Sequence, residues 1–204
     1  MSLAASPNPL VAAAEGAWIE QRIDPLHSRA STVLLTEPML RTHRLVIAAE
    51  RYRLERGQAQ TAWEDAQPRI ARAIYGPHLE WMASEWLGRY ASPESAGGML
   101  RVAGPAVLRS GGRVFQLDVV VVEPTDQGAD RICAVGEVKA EQTPMGMSEL
   151  ARLDDAIASL RAKTAPTVRR LLVARRGYTA ELKREARRRG DVELINLARL
   201  YDGS

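Results

Sequence analysis

This chain of 204 residues is short of cysteine and histidine, with one of the first and three of the second. No internal disulfide can form. The lone thiol, Cys133, lies in an apolar stretch and reads as inert core, which fits a reducing, cytoplasmic setting. His27, His43 and His78 are scattered without metal-binding spacing. No G-x-x-x-x-G-K-[ST] phosphate loop occurs, so the chain is not a P-loop ATPase unit. No G-x-S-x-G elbow occurs either, which removes the starting point of a Ser–His–Asp hydrolase. No apolar stretch approaches the ~20 residues of a membrane span. The Ala-rich start, Met1 to Ala14, has no basic residues ahead of its apolar part and makes a poor signal peptide. Residues 1–15 read as disordered or tag-derived, and the chain is expected to be a fragment of something longer.

A hydrophobic content of 46% and a charged content of 26% are ordinary for a soluble globular protein, and the length allows one generous domain or two small ones. The net charge of +3 is unevenly spread: Lys163 to Ser204 holds eleven Lys and Arg against five Asp and Glu. That end could face a polyanion, or it could simply be a solvated Arg-rich surface.

Two apolar runs carry the chemistry. Phe115–Val122 and Ile132–Ala140, separated by Pro124 and Gly128, read as neighbouring buried strands. Side chains alternate along a strand, so Glu137 and Lys139 leave one face while Val138 leaves the other. A hairpin of the two would bring Asp118 alongside Glu137. Such charges are costly to bury unless they pair with one another or hold a cation. Carboxylate oxygens suit Mg²⁺ or Mn²⁺, and Lys139 would orient a water against phosphate. The alternative is a salt bridge at the edge of the sheet.

The other elements are expected as follows. Strands cover 17–23 and 32–36, with a turn at Pro25, His27 and Ser28. A helix opens at Glu37-Pro38 and ends at Gly57, and a second covers 59–74 with Pro68 kinking or splitting it. A third starts at Gly76-Pro77, where Leu79, Met82, Ala83, Trp86 and Tyr90 form an apolar stripe. Strand signals appear at 99–102 and 106–109. A helix over 148–163 buries Leu150, Leu153, Ile157 and Leu160. A strand over 169–174, a helix over 179–189 stopped by Gly190, and a strand over 192–197 complete the chain. This order predicts an α/β fold, a mixed central sheet flanked by helices.

The arrangement resembles the PD-(D/E)XK nucleases, whose pattern is an Asp, a spacer and then Glu-x-Lys. More of the chain, Gly16 to Leu200, looks like the C-terminal region of the archaeal and bacterial DEXX-box ATPase family. There an ATPase is followed by a winged helix and a nuclease-like domain. Glu37-Pro38-Met39-Leu40-Arg41-Thr42-His43 resembles its "D-P-hydrophobic-L-R-F-W", and Gly76-Pro77-His78-Leu79-Glu80 its "G-x-x-F-E". Gln116-Leu117-Asp118-Val119-Val120 resembles "E-hydrophobic-D-I-V", Gly136-Glu137-Val138-Lys139 resembles "G-E-C-K", and Leu171 to Leu182 resembles "Y-x-x-F-S-K-x-G-F-T-x-x-L". Two departures stand out. Gln116 replaces a common acid, and Thr42 and His43 replace aromatics.

The resemblance implies a winged-helix remnant and linking helix over 16–58, then a restriction-endonuclease-like domain over 59–204. It implies a Mg-dependent DNA phosphodiesterase with Asp118, Glu137 and the Val138 carbonyl at the metal. Lys139 would polarise the water and Glu80 would be the helix-borne acid; the plainer role for Glu80 is a carboxylate favoured near a helix N-terminus. DNA and the ATPase part of the same protein would be the partners, with a homodimer as a further assembly. The other class of function is an inactive DNA- or protein-binding module. Weaker DNA contacts are Thr143, which could instead cap a loop, and Lys183, Arg184, Arg187 and Arg188, which could instead be a solvated helix face. The four tryptophans read as core and interface anchors.

Overall fold

A computed structural model describes residues 19–35, 37–99, 102–124, 130–160 and 164–202. The expectation for residues 1–15 lies outside the described residues, as do Trp18 and the last three residues of the helix expected over 148–163.

The first elements form an antiparallel hairpin, β1 (Ile19–Asp24) and β2 (His27–Leu35), joined at Pro25-Leu26. The second strand begins at His27 rather than at the expected Thr32. Asp24 closes the turn by accepting from the Leu26 N–H at 2.7 Å.

The helix expected from Glu37 to Gly57 is divided into α1 (Pro38–Thr42), a π-helical turn (His43–Ile47) and α2 (Arg51–Glu55). Glu37 caps α1 by accepting from the Met39 N–H at 2.9 Å. Val46 in the widened turn packs against Ala66, Ile70 and Ile74, making a small core of its own. The next helices, α3 (Ala59–Ile70) and α4 (Gly76–Arg89), are joined by a second π turn, Ala71–Tyr75. Pro68 therefore does not split the helix. It removes one N–H and crowds the Glu64 carbonyl four residues back, yet the α-helix runs through it to Ile70 and widens only beyond it.

Five strands make the main sheet: β3 (Val102–Ser110), β4 (Arg113–Pro124), β5 (Asp130–Lys139), β6 (Thr164–Ala174) and β7 (Val192–Asn196), in that order. The first three are antiparallel neighbours; β5–β6 and β6–β7 are parallel. Parallel neighbours need crossovers, supplied by α6 (Met147–Leu160) and α7 (Ala180–Arg189). Two short helices complete the chain, α5 (Pro93–Ala96) and α8 (Leu197–Asp202). The expected order of helix, three strands, helix, strand, helix, strand is observed, as is the α/β class.

Both sheet faces are covered, which explains the unbroken apolar run Val119–Val122. Leu79, Ala83 and Trp86 of α4 pack with Val119, Val121, Leu171 and Val173. Leu150 and Leu153 of α6 and Leu182 of α7 pack with Val120, Val122, Val135 and Leu172 on the other face. Cys133 is fully buried and its thiol is pushed up to about 11, chiefly by burial, so it is the inert core thiol expected. Tyr90, assigned to the buried stripe, is instead exposed.

Two local features position the residues discussed below. The 99–102 and 106–109 signals belong to one strand, interrupted only in register. Gly104 faces Val120 and Ala106 faces Leu117, so Asp118 and Val119 together oppose Pro105 alone. That is a β-bulge, which re-aims the bulged side chains, and Pro105 tolerates it because it has no N–H to give. The second feature is Gly136. A Cβ there would lie 3.0 Å from the Leu171 carbonyl and 3.2 Å from Val119 Cβ. Gly136→Ala is therefore expected to push apart three strands and cost about 1–3 kcal/mol, read as a drop in denaturation midpoint. An unchanged midpoint would show that the strands yield without strain.

Candidate active site

The site grows from the end of the β4–β5 ladder. Val119 pairs with Gly136, and the next residues outward are Asp118 and Glu137. There the Asp118 side chain takes over from the backbone: its Oδ2 accepts from the Val138 N–H at 2.8 Å. The bulge and this bond together fix Asp118. Burial raises its pKa, the Val138 bond and Arg152 oppose the rise, and Glu141 adds to it.

Glu137 is one of the few buried charged residues, 9% exposed. Burial, then the charge of Asp118, lifts its carboxyl to about 7 against the pull of Arg152. Arg152, one helical turn into α6, forms an ion pair with it. Glu80 on α4 is likewise lifted to about 7 by burial and by Asp118, with Arg22 and Arg41 opposing. Asp118 is thus the common neighbour of two carboxylates that resist ionisation.

Lys139 is also committed. Its Nζ is 2.6 Å from Glu149 Oε1 and 3.4 Å from the Pro144 carbonyl. Only a fifth of the side chain is exposed. Glu149 is the third residue of α6 and also accepts from the Gly146 N–H at 3.0 Å, half of a capping box, and from the Ser148 hydroxyl at 2.8 Å. Burial disfavours its charge, but these bonds, that from Lys139 foremost, hold its carboxyl down at about 2.

Glu80, Asp118 and Gln116 share a cleft of about 860 Å³ with Asp24, His27 and Ser31 of the hairpin. The hairpin covers the edge strand here, since Asp24 Oδ2 accepts from the Val107 N–H at 3.1 Å. Glu137 and Lys139 do not line this cleft; they engage α6. The expected residues are therefore neighbours in charge but divided between two sets of partners.

The donor set of one buried carboxylate, Glu137, two part-buried ones, Glu80 and Asp118, and a strand-end backbone suits a hard, oxygen-seeking cation in kind. As placed, no group of three His, Cys, Asp or Glu side chains among the described residues is close enough to hold a metal ion. Mutual repulsion acts at longer range than coordination, so the pKa shifts and this spacing are compatible. Glu137 would have to exchange Arg152 for the cation.

The weaker DNA candidates are all at the surface. Thr143 is exposed in the bend before α6, and Lys183, Arg184 and Arg187 are exposed on α7. Arg188 is paired with Glu185 at 2.6 Å. Of the tryptophans, Trp86 is buried core, whereas Trp63 and Trp81 are half-exposed and lie outside the core.

Four residues escaped the sequence reading: Arg152, Glu149, Arg22 and Arg41. Only the first two carried a signal, since an acid and a base three apart early in α6 share the face that follows the Glu137 strand.

Protein-family models, curated proteins and solved structures yielded no match to this chain. Among the described residues, no helix is long and apolar enough to cross a membrane.

Proposed function

We propose that the chain is a PD-(D/E)XK-type, Mg²⁺- or Mn²⁺-dependent DNA phosphodiesterase module, working as the C-terminal part of a larger ATPase. The observation that carries this reading is the meeting of Asp118 with the buried Glu137 at the end of β4–β5, with Glu80 adding a third coupled carboxylate from α4. Two carboxyls, one buried and one part-buried, each further opposed by the charge of Asp118, are an expensive arrangement without a cation. The resemblance to the nuclease-like region of DEXX-box ATPases points the same way and supplies the ATPase partner.

In this reading Asp118, Glu137 and Glu80 would hold the cation, which would supply Lewis-acid charge and ease deprotonation of the attacking water. Lys139 offsets charge developing on the phosphate once it leaves Glu149. Asp118 is kept in place throughout by the Val138 N–H.

A second reading has its own observation. Glu137 and Lys139, the two residues nearest the chemistry, are each neutralised from α6, by Arg152 and Glu149. A closed pair of ion pairs is what a module that binds DNA or protein without cutting would keep. Supercoiled plasmid decides between them. The nuclease reading expects nicked and linear product with Mg²⁺ or Mn²⁺ and none with EDTA. Absence of cutting on duplex, single-stranded and branched DNA, with DNA binding retained, selects the binding module.

A further inference from the structure

A cavity of about 310 Å³, next to the carboxylates but outside the chemistry just described, is lined by two arginines, Arg22 of β1 and Arg41 of α1. Two guanidinium groups on one small cavity repel each other. Burial and then the charge of Arg22 lower the Arg41 pKa, with Glu80 opposing.

Arg22 is poorly served for a buried cation. Its side chain is only 11% exposed, and its Nη2 reaches Glu20 at a long 3.3 Å. Its Nη1 is buried and has no hydrogen-bond partner among the described residues. Orphaned buried donors are rare, and each calls for a partner. An oxyanion that accepts from both guanidiniums would quench their repulsion, and a turn of the Arg22 side chain would bring its enclosed Nη1 to the same acceptor.

The remaining wall is largely apolar, the polar exceptions being His78 and Glu20, the ion-pair partner of Arg22 that an oxyanion would have to displace. Ile74, Pro77 and Trp81 contribute to it. Trp81 is half-exposed, and its ring is stacked on His78 at 5.7 Å with 20° between planes. A cationic end beside an aromatic platform matches a phosphate ester joined to a planar ring, and the volume is at the lower end for small-molecule sites, about 300 Å³. Bases stack on tryptophan without regard to sequence.

We propose that this cavity is a nucleotide site, with the phosphate held by Arg22 and Arg41 and the base against Trp81. The shared chemistry is one nucleotide unit, either a free mononucleotide or a residue of a DNA strand. Binding here needs no cation and does not rest on cleavage. If the cleavage reading also holds, a strand seated in the cavity would run beside Glu80.

The test is titration in EDTA with deoxyadenosine 5′-monophosphate, deoxyadenosine and a short single-stranded oligodeoxyadenylate, followed by tryptophan fluorescence and calorimetry. The monophosphate should saturate and bind at least about tenfold more tightly than the nucleoside. Arg41→Gln and Trp81→Leu should each weaken it about tenfold, with melting temperatures near that of the parent. Much tighter oligonucleotide binding, weakened by the same variants, assigns the site to a strand, and equal binding assigns it to the free nucleotide. Should Arg41→Gln fail to fold, the exposed Trp81→Leu still carries the test. No saturation by about 10 mM, nucleoside binding as tight as monophosphate, or unchanged affinity in Trp81→Leu would overturn the proposal. Because EDTA is present throughout, that failure leaves the cleavage reading untouched.

Discussion

Moving from about pH 5 to about pH 8 in EDTA is expected to lower the melting temperature by about 10 °C. Glu80 and Glu137 are held at about 7 in the folded chain, whereas a carboxyl of this type free in solution titrates at 4.5. Between those values the folded state keeps protons that the unfolded state has released, so stability falls as pH rises. Allowing for their mutual coupling through Asp118, the two groups together forfeit about 3 kcal/mol. The depressed carboxyls behave oppositely but elsewhere. Glu149 is held at about 2, so its stabilisation is complete above 4.5 and is lost only as pH falls towards about 2. Over the window of interest it is flat. Glu137→Gln should remove about half of the pH-dependent loss and melt above the parent at about pH 8. Arg152→Ala should do the reverse, costing about 2 kcal/mol at about pH 8, discounted for the exposure of the arginine, and almost nothing at about pH 5. Millimolar Mg²⁺ should restore stability at the higher pH only, because a cation favours the ionised carboxylates. A melting temperature that stays flat or rises from about pH 5 to about pH 8 would mean these carboxylates are not held protonated.

The meeting of Asp118 with Glu137 was legible because it depends on two local facts: period-two alternation, and two apolar runs too close in sequence to be anything but neighbouring strands. The order of elements was legible for a similar reason, since each helix has its own stripe and its own stop. What escaped depends on non-local partners. Gly104-Pro105 reads as a break, yet on an edge strand a proline opposite a bulge costs little. The bulge itself, which aims Asp118, has no sequence mark in β4. β6 begins at Thr164 rather than at the expected 169, running through Pro166, which reads in sequence as a break. Arg170 reaches Asp154 and Asp191 at 2.8 Å, and Arg169 reaches Glu193 at 3.6 Å, so charge inside the strand is answered from α6 and β7. The same holds at the site. The sequence displays Glu137 and Lys139 as one pair of chemical groups, and the crossing of α6 over the sheet turns them into members of two separate ion pairs.

The second large effect is at Lys139. If the nuclease reading holds, Lys139→Ala should reduce cleavage by at least about 10³-fold, since it removes the ammonium that offsets charge on the phosphate. The stability cost should be small but real, about 1–2 kcal/mol. Lys139 does not face an open solvent-filled cleft, so a free substitution is not expected; but Glu149, left behind, keeps the Gly146 N–H and the Ser148 hydroxyl. Glu149→Gln separates the roles. It retains a side-chain oxygen for the Gly146 N–H at the start of α6 while weakening the hold on Lys139, so cleavage should persist within about tenfold of the parent. In the binding-module reading the two residues matter only to each other. The stability costs would be the same, because the ion pair is the same, and neither variant would alter DNA affinity by more than the loss of folded protein explains. Plasmid cleavage on the same two proteins, corrected for folded fraction by melting curves, separates these outcomes. A Lys139→Ala protein that cuts as well as the parent would remove Lys139 from the chemistry, whatever its effect on stability.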